Sequence, residues 1–452
     1  MKFAPPDENI ELYETVFGDD LLGRNKISTQ LSSVVDNFED PLVISLDGQW
    51  GTGKSFFLKR WVGAHRKQNG GKALTIYFDA FANDYISDPL PALVTALSVR
   101  APEKSADKLE NIKKAAFRFI KPAARIGLAM ATFGATEALN DLGDAAVAAI
   151  GDETKGAIDN FWKKEERRHE AMNDFQSALT ELTKGEEDEV IPVVVVIDEL
   201  DRCRPDYALE VLETIKHFFS VPHIHFVLGV NMRALENSVK VRYGLEVDAS
   251  AYLQKFISFS IGLPDHIGDH NKTSATIKYI RHLSDLMSAP RQISEEIENQ
   301  VKSISRRNHV SMRDAGKIIS LSNLIPENIK KREIFLGWSV IAATLLVTKI
   351  VRPSLMQKLI SASVSKDELV EYFGVQDMHI DRNFSEGQFS DQYDHKLLIT
   401  MSCWNYVISN GKEKDVNGFD IGKAFSQFGD AHRPMNIPAT INDNWLNEIS
   451  IS

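Results

Sequence analysis

Residues 48–55 read Gly-Gln-Trp-Gly-Thr-Gly-Lys-Ser, which fits the pattern GxxxxGK[ST]. These residue types suit a polyphosphate. Several main-chain N–H groups must converge on its oxygens, and glycines let the backbone approach closely and take positive φ. A helix beginning near Lys54 would aim the positive end of its dipole at the same oxygens. Lys54 is expected to reach the β- and γ-phosphates, and the Ser55 hydroxyl to ligate Mg²⁺. The candidate nucleotide-binding residues are therefore Gly48, Gln49, Trp50, Gly51, Thr52, Gly53, Lys54 and Ser55, with Phe56 following. Trp50 could shield the phosphates or pack beneath the loop, and packing is the preferred reading.

A second constellation lies in VVVVIDELDR, where an apolar run ends in Asp198, Glu199, Asp201 and Arg202. Carboxylates at the carboxyl edge of a parallel sheet stand beside such a loop. Asp198 fits the role of holding Mg²⁺, directly or through water. Glu199 is placed to polarise an attacking water, with Asp201 as the rival for that task. Asn231 ends the next apolar run. It could sense a γ-phosphate, or simply start the following helix. Cys203, just past the acids, reads as an inert buried thiol.

These groups need a frame to hold them. Strands are expected at 41–47, 73–78, 190–198 and 224–230, with helices after the loop and over 207–219. The unbroken β-branched run at 190–198 suits a strand buried on both faces. Strands alternating with helices predict an α/β fold, a doubly wound parallel sheet. The stretch 161–189 reads as a long, solvated, charged helix inside an insertion at about 101–189. After about residue 250 the helical period prevails.

With 452 residues, 43% hydrophobic and 25% charged, the chain has ample length for large cores. Its net charge of −11 argues against bulk nucleic-acid binding. Two cysteines exclude a disulfide framework and any CxxC metal pattern, and fit a reducing, cytoplasmic setting. Two segments are apolar enough to raise the question of a membrane span. Residues 126–150 carry three acids, and 334–347 is too short, so a soluble helical hairpin and a buried core helix are expected instead.

Several motifs together resemble the KAP family of P-loop NTPases, within the wider AAA- and STAND-like class. They are IDELDRCRPDYALEVLETIKHFF at 197–219, FGDDLLGR at 17–24, GQWGTGKS with its internal Trp, AYLQKFISFSIGLP at 251–264, and SMRDAGKII at 311–319. Departures are Asp79-Ala80-Phe81 in place of the family's Asn-Ala-Trp, and Gln254 in place of its Glu. The resemblance implies an ASCE-type sheet of strand order 5-1-4-3-2 and an ATP-driven switch or motor using ATP and Mg²⁺. It further implies Arg313 as a sensor of the γ-phosphate, the alternative being a surface salt bridge with Asp314 or another acid. Arg24 would lie near the base or ribose, or else be a surface charge at a helix start. Arg202, Arg204, Arg233 and Arg242 are candidates for an arginine finger across subunits. Bacterial members are often linked to defence against phage.

The expected organisation is a P-loop core at 1–100 and 190–265, interrupted by the helical insertion at 101–189. A helical sensor or lid domain follows at 266–360, and then a C-terminal region at 361–452. The expected activity is Mg²⁺-dependent ATP hydrolysis, with a homo-oligomer or a protein partner supplying any effector chemistry. The alternative is a nucleotide-gated scaffold or adaptor with little turnover, recruiting a partner or a membrane through the insertion.

Overall fold

The computed structural model describes residues 9–18, 20–100, 105–119, 155–185, 189–263, 266–267, 273–305, 307–374, 392–413, 415–416, 419–428 and 433–447, with side chains of 155–168 and a few others excepted. The chain divides into two compact units. One comprises Ile10–Asp20 and Arg24–Leu263; the other comprises Met1–Asn9, Leu21–Gly23 and Pro264–Ser452.

The first unit carries the sheet. Its elements in order are α1 (Asn25–Asn37), β1 (Val43–Asp47), α2 (Lys54–Lys67), β2 (Leu74–Asp79), α3 (Pro89–Arg100), α4 (Ala106–Phe117), α5 (Lys155–Leu182), β3 (Val193–Asp198), α6 (Pro205–Phe218), β4 (Ile224–Val230), α7 (Met232–Tyr243) and β5 (Phe259–Gly262). The strands lie side by side as β2-β3-β4-β1-β5, and every pairing is parallel. This is the order that the resemblance implies, read from the other edge. The four expected strands form within three residues of their expected starts, and β4 starts where expected, whereas β5 had no strand expectation.

The sheet separates two cores. Val194 and Val196 of β3 face Phe57, Leu58 and Trp61 of α2 and Leu31 and Val35 of α1. Their neighbours Val193, Val195 and Ile197 face a second core with Leu93, Leu97, Leu209 and Leu212. Alternation across a strand sends successive side chains to opposite faces. All six residues of β3 are buried, so its run is β-branched without interruption. The long, charged helix expected at 161–189 forms, but it is not solvated on every side. Over its described side chains, α5 buries Ala171, Phe175, Leu179 and Leu182. Phe175 packs edge-on to Phe219 at 5.6 Å between ring centres. Four apolar positions at spacings of three and four make one stripe among the charges. Residues 126–150 lie outside those described.

The second unit is helical: α8 (Ala275–Met287), α9 (Arg291–Ile304), α10 (Met312–Ser322), α11 (Leu336–Val351), α12 (Lys366–Phe373) and α13 (Gln392–Ile408). Helix α11 is the apolar segment expected as a core helix, and residues Gly337–Thr348 along it are all buried. Its surroundings include Ile297, Ile318, Tyr372, Trp404 and Trp445, so a single apolar core runs from Ile277 to Leu446. Among the described residues no helix is long and apolar enough to cross a membrane.

Candidate functional site

The carboxyl ends of β1, β3 and β4 lie in register. Asp198 pairs across to Gly229, and Asp47 to Val230. The loop of residues 48–53 leaves β1 here and turns into α2. Gly51 and Gly53 hold left-handed φ of 83° and 84°, the conformations glycine takes without a Cβ penalty. Gly53 is also the residue against which Arg24 closes. A Cβ there would stand 2.9 Å from Arg24 Nη1.

Arg24 is 2% exposed. Its Nη1 donates to Gly53 O at 3.0 Å and its Nη2 to Thr52 O at 2.6 Å. The surface-charge alternative is thereby corrected. The guanidinium fork braces two loop carbonyls, which leaves neighbouring N–H groups to face a ligand. Lys54 is buried, and its ammonium donates to Gly48 O at 2.5 Å and Gln49 O at 3.2 Å. Burial pulls its pKa below the ordinary value, and Asp201, Asp198 and Asp47 pull it back.

Trp50 departs from the expected packing beneath the loop. It is 51% exposed, and its indole Nε1 donates to Asp201 Oδ2 at 2.6 Å. The apolar surface of the indole is outweighed by a short bond to a carboxylate 151 residues away. The bond ties the loop to the acidic turn, and it uses one oxygen of the carboxylate that rivals Glu199. Thr52 closes the loop on itself through Oγ1 to Gln49 O at 2.9 Å. The Phe56 ring lies under the Arg60 guanidinium, 4.5 Å away.

Asp198 is 1% exposed and held at both oxygens. Tyr77 Oη donates to Oδ2 at 2.8 Å, and the Glu199 amide donates to Oδ1 at 2.9 Å. Burial raises its pKa; the Tyr77 and Ser55 hydroxyls and the Glu199 amide oppose that rise. Gly229 makes room for it, because a Cβ there would lie 2.5 Å from Oδ1. Glu199 has a left-handed φ of 60° and opens the 3₁₀ turn Leu200–Arg202. Its Oε1 accepts from Arg202 Nη1 at 2.8 Å, and Ser55 Oγ lies 3.5 Å from the same oxygen, at the outer limit of a hydrogen bond. Burial raises the Glu199 pKa, Arg202 lowers it, and Asp198 raises it again.

Asn231 sits at the N-cap of α7 but caps nothing; Asp47 Oδ1 instead accepts from Met232 N at 2.9 Å. Asn231 stands at the start of the helix, where its carbonyl accepts from Leu235 N at 3.0 Å while its side chain makes no cap. Cys203 is buried, and burial pushes its thiol up, as expected of an inert cysteine. Of the four candidate fingers, Arg202 is paired with Glu199, Arg204 is bonded to Asp84, and Arg233 and Arg242 are exposed. In the helical unit, Arg313 is exposed on α10, and Asp314 is committed to a reciprocal cap with Ser311. Among the described residues Arg313 forms no salt bridge with Asp314.

Three residues escaped the sequence reading: Tyr77, Gly229 and the capping Asp47. Tyr77 passed as one more apolar strand residue. Alternation along β2, with Thr75 and Asp79 on its own side, is the signal that separates it.

Residues 24–325 match the KAP family P-loop domain, about two thirds of the chain. The chain belongs to the KAP family of P-loop NTPases. An uncharacterized protein of Methanocaldococcus jannaschii is 38% identical to it over 58 residues, 13% of this KAP chain and 30% of that relative. The chain thus spans under a third of the relative's length. Two solved structures share 13% identity with it. They are the Aeropyrum pernix ORC2 protein in its ADPNP-ADP complexes (TM-score 0.32, covering 89% of this chain and 97% of that one) and Cdc6p from Pyrobaculum aerophilum (TM-score 0.36, covering 79% and 74%). At those scores the likeness carries no functional weight.

The oxygen donors fit a hard divalent ion. Mg²⁺ takes one or two carboxylates, keeps several waters and shares phosphate oxygens. Asp198 and the Ser55 hydroxyl supply such donors, and among the described residues no cation lies in hydrogen-bond contact with the buried Asp198 carboxylate.

Proposed function

We propose that this KAP protein hydrolyses ATP and works as a molecular switch. One observation supports this above the rest. A loop with two left-handed glycines and an uncapped helix start meets, through Ser55, the acidic turn of β3. Loop amides and Lys54 would bind the β- and γ-phosphates. Lys54 would trade its bonds to Gly48 O and Gln49 O for phosphate oxygens, at little net loss of hydrogen bonding. Ser55 and Asp198 would hold Mg²⁺, which supplies charge neutralisation for the phosphates when bound. A water oriented by Glu199 would attack the γ-phosphorus. Its oxygen bonds to phosphorus, the bond to the β-phosphate oxygen breaks with its electron pair leaving on ADP, and the water's proton passes to the Glu199 carboxylate. Asn231 is proposed to read the γ-phosphate, and a sensing role for Arg313 rests on the family resemblance alone. Asp201 is proposed as an anchor for Trp50 rather than as the base.

The test is phosphate release from pure protein. Lys54→Ala is expected to lose nucleotide binding, and Glu199→Gln to bind ATP while hydrolysing it at least 100-fold more slowly. Unchanged turnover in both variants would overturn the proposal. The alternative is the nucleotide-gated scaffold. It predicts negligible phosphate release until a partner is added. Assembly as a homo-oligomer, or with a protein that supplies effector chemistry, is part of the proposal. A bacterial anti-phage setting rests on the family resemblance alone.

A further inference from the structure

Glu199 has a backbone conformation that its side chain does not favour. A non-glycine residue at left-handed φ is strained and persists where its surroundings over-determine it. Here three bonds do so. The Glu199 amide donates to Asp198 Oδ1, its carbonyl accepts from the Arg202 amide at 3.1 Å, and its Oε1 meets Arg202 Nη1 at 2.8 Å. The last two close one 3₁₀ turn from both sides, so Arg202 grips the main chain and the side chain of the same residue. The Glu199 side chain is 20% exposed and that of Arg202 32%, so solvent screens the pair in part. Only Oε1 is engaged by Arg202 and Ser55; among the described residues Oε2 has no hydrogen-bond partner.

We propose that Arg202 is a positioning residue that locks the Glu199 carboxylate by one oxygen and leaves the other to take a water. It acts within its own chain, through Glu199, and does not touch the phosphates. The inference deepens the proposed function and rests on Glu199 being the base. It also removes Arg202 from the arginine-finger candidates, since a finger acts on phosphate from another subunit.

A double-mutant cycle read by single-turnover hydrolysis of radiolabelled ATP tests this, with nucleotide affinity measured in parallel. Arg202→Ala is expected to lower the hydrolysis rate about 10–100-fold with ATP affinity unchanged, as for outer-shell partners generally. Arg202→Lys should recover part of the loss by restoring a charge without the fork. Arg202→Gln covers the event that the alanine variant folds poorly. Placed on Glu199→Gln, Arg202→Ala should cost almost nothing more, because residues that act through one another are not additive. Full multiplicative loss in the double variant, or a wild-type rate in Arg202→Ala, would overturn the inference while sparing the role of Glu199. A wild-type rate in Glu199→Gln, or no turnover in the unaltered chain, would overturn the hydrolysis reading and this inference with it.

Discussion

At the scale of single residues, the site is built from side chains that hold other side chains. Asp198 is oriented from β2 by Tyr77, a hydroxyl contributed by a neighbouring strand. Removing it alone leaves the carboxylate in place but free to turn. Tyr77→Phe is therefore expected to weaken Mg²⁺-dependent binding about 10–100-fold and to leave binding of ATP in EDTA unchanged. Calorimetry with and without Mg²⁺ reads both, and equal losses in the two conditions would show that the hydroxyl serves the loop instead. Arg24 acts on the loop itself. Arg24→Lys keeps the charge and loses the fork, so one of its two carbonyl bonds must go. Each charge-assisted bond is worth about 1.5–3 kcal/mol, and a tenfold or greater fall in ATP affinity is expected in either buffer. None of this could be read from spacing. Arg24 and Gly53 are 29 residues apart in the chain, and Trp50 and Asp201 are 151 apart. The sequence names the loop and the acids, and only the fold says which neighbours grip them.

At the scale of elements, β4 carries two further tests. A methyl group at Gly229 would meet Asp198 Oδ1 and Leu58 Cδ1, both at 2.5 Å. Gly229→Ala is expected to cost about 1–3 kcal/mol by overpacking and to displace the carboxylate, so that stability and Mg²⁺ affinity fall together. His225, on the same strand, is wholly buried, and its Nδ1 accepts from Leu42 N at 3.2 Å, which places the proton on Nε2. Burial lowers its pKa from 6.5 to about 4. Below pH 6.5 the unfolded chain takes up a proton that the folded chain refuses, so this group's contribution to stability falls as pH drops toward 4. By pH 5 the loss is about 2 kcal/mol. Urea titrations at pH 7 and pH 5 should show it in the unaltered chain, and His225→Asn, which keeps an acceptor and cannot charge, should lack that part of the slope. Elements were the most legible layer of the sequence. An apolar β-branched run such as β3 has one reading, because burial on both faces leaves no polar alternation to confuse it. Strand β5 carried the signal in plain view: Ile257-Ser258-Phe259-Ser260-Ile261-Gly262-Leu263 alternates apolar with small residues, the period of a strand, but it is short and borders a region where the helical period prevails. Helix α5 hid its stripe behind its charges. Four apolar residues carry its packing, and a count of Lys and Glu does not weigh them.

At the scale of the whole molecule, the residues that looked least informative have a packing role that motifs do not record. The helical unit depends on its C-terminal part. Trp404 donates to Thr344 Oγ1 at 3.0 Å, and Tyr372 Oη accepts from Thr348 Oγ1 at 2.8 Å, both inside the core around α11. Tyr372, Phe373, Trp404, Val407 and Trp445 are each 3% exposed or less. A chain ending at residue 360 would lose all of them and bare the face of α11 against which they pack. An aromatic residue contributes roughly 3–5 kcal/mol to a core when truncated to alanine, which makes the four aromatic losses together as large as the whole stability of an ordinary domain. The shortened chain is expected to aggregate or to bind a hydrophobic dye strongly; a soluble chain that unfolds in one cooperative transition would refute this. Thr344→Val probes the same core gently. It keeps the shape and strands the Trp404 indole N–H without a partner, at a cost of about 1–3 kcal/mol. For a unit of this size, that cost corresponds to a melting transition lower by about 2–10 °C. If the valine variant melts at the wild-type temperature, the indole has another acceptor and the core is more adaptable than its buried hydrogen bonds imply.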